Sequence, residues 1–348
     1  MKKLTSLLLT LIMAFSCCSI AVSAAEKPAD SRYPVYTALG DSASSGFGLP
    51  DYAKYNSLVI YGKRIQNSYS DLLAKKLGSK TLYSYGVSGI RTAELRYLLD
   101  NTYHGDYIMQ RDMPIMSNGM ISREVLQPKR AEYQKAVKES DLITLDIGFD
   151  DIWVPTIACV YDIAEDGRFD NTDAGKTISE KVAEYGSTQV VIDNAFSYLR
   201  AWFRNPVKWV QYWNYWAMTV AKWLTDFTIN YNAIVHQIYR LNPDVTVIAL
   251  GCYNPCIGWD LLPDDRAIEH VVQPYYDYVN AQKTVAEAEY KTYHYVELRD
   301  IDLFNKKTTI PLYENLTMDD SGFNPHPTEK GHQQICDAIL KELDSIDK

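Results

Sequence analysis

The 348-residue chain predicts an α/β domain built on a parallel sheet, and three observations carry that expectation. Five short apolar runs, each bounded by turn residues, read as buried strands: Val35 to Leu39, Thr81 to Tyr85, Leu142 to Ile147, Val245 to Leu250 and Tyr293 to Leu298. Between them lie segments with apolar residues at helical spacing, such as Tyr69, Leu72, Leu73 and Leu77, and near the end Ile335, Ile339, Leu340 and Leu343. The composition, 47% hydrophobic and 23% charged, is that of a globular chain and excludes low-complexity disorder. Strands alternating with helices imply a sheet covered on both faces. Its ligand site then lies past the carboxyl ends of the strands, after Leu39, Tyr85, Ile147 and Leu250. The sequence contains no internal repeat.

The first two dozen residues read as a secretory signal peptide. Lys2 and Lys3 precede an apolar stretch from Leu4 to Val22, and the small residues Ser23, Ala24 and Ala25 place cleavage near Ala24 or Ala25. Residues 1–24 are therefore set apart from a single domain over 25–348. No apolar run of membrane-spanning length follows, so no stable span remains after cleavage. Losing Lys2 and Lys3 takes the net charge from −9 to −11, which disfavours nucleic acid as a partner. Export permits disulfides among Cys159, Cys252, Cys256 and Cys336, with their pairing open. No second Cys or His pair accompanies Cys252 and Cys256 at zinc spacing, and the other histidines show no metal-like pairing.

Two stretches break the alternation. Asn101 to Lys129 is interrupted by Pro114 and Gly119 and reads as mostly loop. From about Asp151 to Phe227 a helical insertion holds Trp202, Trp209, Trp213, Trp216 and Trp223, whose intervals put most of them on one helical stripe. Burial of that stripe would make it core; exposure would make it a binding platform or lid.

Chemistry gathers where the fold expects it. Gly40-Asp41-Ser42-Ala43-Ser44-Ser45-Gly46 follows the first strand, Gly86-Val87-Ser88-Gly89 the second and Gly148-Phe149-Asp150-Asp151 the third. Pro325-His326-Pro327-Thr328 leads into the last helix, and a histidine is what a serine nucleophile needs as general base.

This ordered set resembles the SGNH, or GDSL, hydrolase superfamily, with matches spread from Tyr36 to His332. The resemblance implies a three-layer α/β/α flavodoxin-like fold with a five-stranded parallel sheet, and ester hydrolysis through an acyl-serine. It assigns Ser42 as nucleophile and His326 as base. The backbone N–H groups of Ser42 and Gly89 would form part of the oxyanion hole, and the Tyr253-Asn254-Pro255 turn also matches. Pro327 suits the first helical position, which makes His326 the expected N-cap, where the helix dipole disfavours imidazolium.

Two positions depart from the family pattern. Asp150 stands where the family keeps an Asn whose amide donates to the oxyanion, and an ionised carboxylate has no proton to give. Phe323 stands where the family keeps an Asp that orients the histidine, leaving Asn324, Asp320, Asp319 or a backbone carbonyl to hold the ring. Other motifs carry less. Gly175-Lys176-Thr177 lacks the earlier glycine of a phosphate loop, the acidic stretch 162–173 lacks calcium-loop spacing, and Asn315-Leu316-Thr317 is a glycosylation sequon.

The expectation is a secreted serine esterase or deacylase acting on a small-molecule, glycan or lipid ester, with no metal or organic cofactor. The alternative is a catalytically weakened member of the same fold that binds glycan or lipid.

Overall fold

A computed structural model of the chain describes residues 32–117, 119–156, 158, 206–260, 267–304, 308–309 and 324–346. The signal segment, the acidic stretch 162–173, Gly175–Thr177, the sequon at Asn315, Asp319, Asp320 and Phe323 lie outside the described residues, as does most of the insertion before residue 206.

The five expected strands form one parallel sheet. β1 (Val35–Gly40) is flanked by β2 (Thr81–Gly86) and β3 (Leu142–Asp146), followed by β4 (Thr246–Leu250) and β5 (Tyr293–Val296), in the order β2-β1-β3-β4-β5. Alternate residues feed two cores, as strands covered on both faces require. Leu39, Ile143, Leu145, Val247 and Ala249 pack into the larger core, while Tyr36, Ala38, Leu142, Ile248 and Leu250 pack into the other. The four-residue α1 (Ser42–Ser45) caps the end of β1. Helices α2 (Tyr69–Leu77) and α7 (Glu329–Ile346) cover the smaller core through Tyr69, Leu73, Ile335 and Ile339. The larger core takes Leu95 of α3 (Thr92–Leu99), Tyr133 of α4 (Arg130–Glu139), Phe227 and Tyr231 of α5 (Pro206–Leu241), and Tyr276 of α6 (Ala267–Val285). This is a three-layer α/β/α arrangement.

Local chemistry starts and stops these helices. In α2 the Ser68 hydroxyl accepts the Asp71 N–H at 3.2 Å, and Gly78, at φ 65°, returns its N–H to Ala74 and Lys75. The 36-residue α5 buries Val220, Trp223, Phe227, Tyr231, Ile234 and Ile238 on one stripe. Trp216 and Trp223 are both buried, so these two belong to the core. Trp202 lies outside the described residues.

The expected loop at 101–129 is instead partly helical: Tyr107–Met116 and Arg123–Leu126 are α-helix, with a 3-10 turn at Gln127–Lys129. Asp106 accepts the Met109 N–H at 2.8 Å, and Met109 and Met113 are buried one turn apart. Pro114 falls late in its helix, where its missing N–H costs a single bond.

The order of the strands puts the topological switch point beside β1, between β2 and β3. Backbones crowd there. A Cβ on Gly40 would overlap the Asp146 carbonyl, and one on Gly86 would overlap the backbone at Ser44 and Ser45. Gly86→Ala is therefore expected to destabilise the protein by about 3 kcal/mol in denaturant unfolding, whereas Gly119→Ala, with no atom within 4 Å of the added carbon, meets only the backbone strain of its φ of 75° and should cost about 1 kcal/mol.

Candidate functional site

Ser42 is placed by the turn that ends β1. The Asp41 N–H donates to the Asp146 carbonyl at 3.0 Å, which ties β1 to β3, and the Asp41 carboxyl accepts the Ala43 N–H at 3.1 Å. The Ser45 N–H returns to the Asp41 carbonyl at 3.0 Å and the Ser45 hydroxyl to the Ser42 carbonyl at 2.8 Å. Ser42 thus sits at the first position of α1, buried at the carboxyl edge of the sheet.

His326 reaches the same place from the other end of the chain. The Phe304 N–H donates to its carbonyl at 3.0 Å, and the Tyr253 hydroxyl donates to the Pro325 carbonyl at 2.9 Å. Ser42 and His326 line one enclosed cleft with Asp41, Asp146, Phe149 and Tyr253, without a direct hydrogen bond between them. Among the alternatives that the sequence left open, Asn324 holds the ring, with its Oδ1 2.8 Å from His326 Nδ1. The same Oδ1 accepts the His326 backbone N–H at 3.3 Å, and an N–H can only donate, so the amide orientation is fixed. Nδ1 therefore carries the proton and Nε2 the lone pair.

One expectation is corrected. His326 is not the N-cap of the last helix: α7 starts at Glu329, and Thr328 caps it by accepting the Gly331 N–H on its hydroxyl at 3.1 Å and the His332 N–H on its carbonyl at 2.8 Å. Pro327 pairs with Leu303 in an isolated bridge instead. The imidazole is kept neutral by burial, which lowers its pKa to about 4, and not by the helix dipole.

Gly89 and Asp150 form a second pair on the loops after β2 and β3, either side of the β1 turn. Gly89 adopts φ 83°, and its N–H is directed at the Asp150 carboxyl. Burial, reinforced by the negative charges of Asp151 and Glu94 and opposed by Arg91 and that N–H, raises the Asp150 pKa to about 8. A carboxyl in this setting keeps its proton at neutral pH. Its Oδ2 is buried and has no hydrogen-bond partner among the described residues. Asp151 is spent on structure, accepting the Thr92 N–H at 2.9 Å and the Thr92 hydroxyl. Arg91 is buried between Glu94 and Asp106, and burial raises Glu94 to about 7 in spite of it.

A buried cation lies beneath the cleft, where sequence reasoning placed no functional residue. Lys283 is fully buried, and its Nζ donates to the Leu250 carbonyl at 2.7 Å and to Cys252 Sγ at 3.2 Å. Burial raises Asp146 to about 6, with the Lys283 charge acting against it, while burial and the charge of Asp146 push Asp41 well up. Asn280 grips Cys252 on both sides, accepting its N–H at 2.7 Å and donating to its carbonyl at 2.9 Å. Spacing was the one available signal, since Tyr276, Val279, Asn280 and Lys283 fall on one face of α6. Among the described residues Cys252, Cys256 and Cys336 are buried thiols that form no disulfide, and Cys159 lies outside the described residues. No cluster suited to a metal ion occurs among the described residues.

These carboxyls make stability depend on pH. Asp150 and Glu94 have folded pKa values above their ordinary ones, so the folded chain binds more protons than the unfolded chain up to about 7 to 8. Their stabilising share is full at low pH and is lost as pH rises through the folded values. His326 and His332 have lowered values and are neutral in both states above about pH 7. The melting temperature is expected to fall by a few degrees between about pH 6.5 and about pH 8.5, and Asp150→Asn should flatten that fall, as scanning calorimetry would read.

Three solved structures are similar to this chain. The extracellular lipase of Streptomyces rimosus is similar at 16% identity over 88% of this chain and 98% of that one, with a TM-score of 0.45. Phospholipase A1 of Streptomyces albidoflavus is similar at 14% identity over 89% and 99%, with a TM-score of 0.43. A family two carbohydrate esterase of Clostridium thermocellum is similar at 11% identity over 89% and 63%, with a TM-score of 0.38. A search of curated proteins found no significant match. The GDSL-like lipase/acylhydrolase family, in contrast, matches residues 38–334. Covering most of the chain and all four sequence blocks, that match identifies the protein as a member of the GDSL-like lipase/acylhydrolase family.

Proposed function

We propose that this protein is a secreted serine esterase or deacylase in which Ser42 is the nucleophile and His326 the general base. The observation that carries the reading is the meeting of Ser42 with a neutral, correctly protonated imidazole in one enclosed cleft at the switch point of the sheet. His326 Nε2 takes the Ser42 proton as Oγ attacks the ester carbonyl, and then gives it to the departing alcohol oxygen. Water repeats the sequence on the acyl-serine, releasing the acid and restoring Ser42. The N-terminal signal pattern supports export.

Asp150 takes the part of the family's Asn in this reading. As a neutral acid it offers its own proton, alongside the Ser42 and Gly89 N–H groups, to the developing oxyanion. Asn324 acts as the positioning residue, but its amide brings no negative charge to steady the imidazolium.

Hydrolysis of a short activated ester by the mature chain tests this. Ser42→Ala and His326→Ala should each lower kcat by at least about 10⁴-fold. The rate should rise as His326 loses its proton near pH 4 and fall as Asp150 loses its proton near pH 8. Asp150→Asn should keep activity and abolish the alkaline fall.

Asn324→Ala should cost about 10² to 10⁴ in kcat by releasing the tautomer, with little change in KM. Asn324→Asp should restore most of it and move the acid limb to higher pH, because a carboxylate beside Nδ1 favours imidazolium. A merely structural role for Asn324 would leave that limb in place.

A further inference from the structure

Directly after α1 the chain passes through Phe47 and Gly48 into the single turn Pro50–Ala53 and folds back towards Val59. The loop encloses an open trough of about 380 Å³, walled chiefly by Phe47, Leu49, Tyr52, Ala53 and Leu58, with Asn56 at its rim. Phe47 joins the trough to the catalytic cleft. Its N–H donates to the Ser42 carbonyl at 3.0 Å, and its ring lies 4.5 Å from the His326 ring and 5.0 Å, edge-on, from Tyr52. Gly48 permits the approach, since a Cβ there would stand 3.3 Å from Phe304 and 3.7 Å from the His326 side chain.

The polar atoms of this wall are already used by the wall itself. The Tyr52 hydroxyl donates to the Leu58 carbonyl at 2.9 Å, and the Ser57 hydroxyl donates to the Val59 carbonyl at 2.7 Å. Apart from the Asn56 amide, the side-chain surface left to meet a ligand is chiefly carbon, and Leu58 is 53% exposed. A sugar ring would leave its hydroxyls without partners there, whereas an alkyl chain would cover apolar surface from water.

Position says which half of an ester enters. The alcohol oxygen takes its proton from His326, so the alcohol half lies beside the imidazole, while the carbonyl oxygen of the acyl half turns towards Gly89 and Asp150. The trough adjoins the imidazole through Phe47 and Gly48. Resting on the esterase reading above, we infer that this trough is the subsite for the alcohol half of the ester and selects an apolar, alkyl alcohol. As the Ser42 Oγ–acyl bond forms and the acyl–alcohol C–O bond breaks, the alcohol takes the proton that His326 removed from Ser42 and leaves along the trough.

The test compares methyl acetate with hexyl acetate, and methyl acetate with methyl hexanoate, on the wild type and Leu58→Glu, together with calorimetric binding of hexan-1-ol to both proteins. The wild type should prefer hexyl over methyl acetate by about tenfold or more in kcat/KM. Leu58→Glu should collapse that ratio towards 1, leave the acyl-chain ratio unmoved and lose hexan-1-ol binding. A preference that follows the acyl chain alone, or a hexyl-to-methyl ratio unchanged in Leu58→Glu, overturns the inference. If the wild type hydrolyses none of the esters, the esterase reading fails. Hexan-1-ol binding that Leu58→Glu abolishes still supports the trough as an alkyl-alcohol site, and absence of binding overturns it as well.

Discussion

The Asp41 N–H meets the Asp146 carbonyl at 3.0 Å where β1 leaves the sheet, and the placing of Ser42 depends on that crossing. It exists because Gly40 has no side chain to keep the two backbones apart. From it follow the cap of Asp41 on Ala43, the start of α1 at Ser42 and the return of Phe47 to the Ser42 carbonyl. Ser42, the proposed nucleophile, is therefore held by backbone and by a cap, not by its own side chain. His326 needs more supports because it arrives on a loop: Tyr253 from the end of β4, Phe304 from the strand-like segment opposite, and Asn324 beside the ring.

Electrostatics sets the second constraint. Asp41, Asp146 and Asp150 are all buried around the ends of β1 and β3, with Lys283 beneath the cleft. So much buried carboxyl is an expense that a purely structural core would avoid. Its consequence is that the groups share few charges, and Asp150 takes the neutral form. In the proposed mechanism, a residue that as a carboxylate would repel an oxyanion serves, as an acid, as a donor in the place of an amide. The same burial strips the imidazole of its charge, so Asp150 and His326 are both neutral near pH 7.

Most of the fold could be read in the sequence because strands buried on both faces are short, continuous apolar runs, and Val35–Gly40, Thr81–Gly86 and Leu142–Asp146 end within a residue of where those runs end. The helix Tyr107–Met116 was hidden by Pro114, a breaker whose effect depends on how near the helix end it falls. Ser42, Gly89, Asp150 and His326 stand at strand ends and announce themselves by residue type. Their supports do not. Thr328 rather than His326 caps α7 because the chain at Pro327 is tied to Leu303, a contact 24 residues away that no local rule contains. Lys283 is legible as a charged residue on a helix, yet its burial depends on the Leu250 carbonyl and Cys252 arriving from another strand.

The central claim is that Ser42 is activated as a nucleophile by His326. Labelling with an alkyl fluorophosphonate, followed by mass mapping, tests it without any assumption about the natural ester, because the reagent needs only an activated serine. The account predicts a single phosphonyl adduct on the Ser42 peptide of the wild type and its absence in His326→Ala. Adducts on other serines with Ser42 unmodified, or equal labelling of Ser42 in His326→Ala, would contradict it.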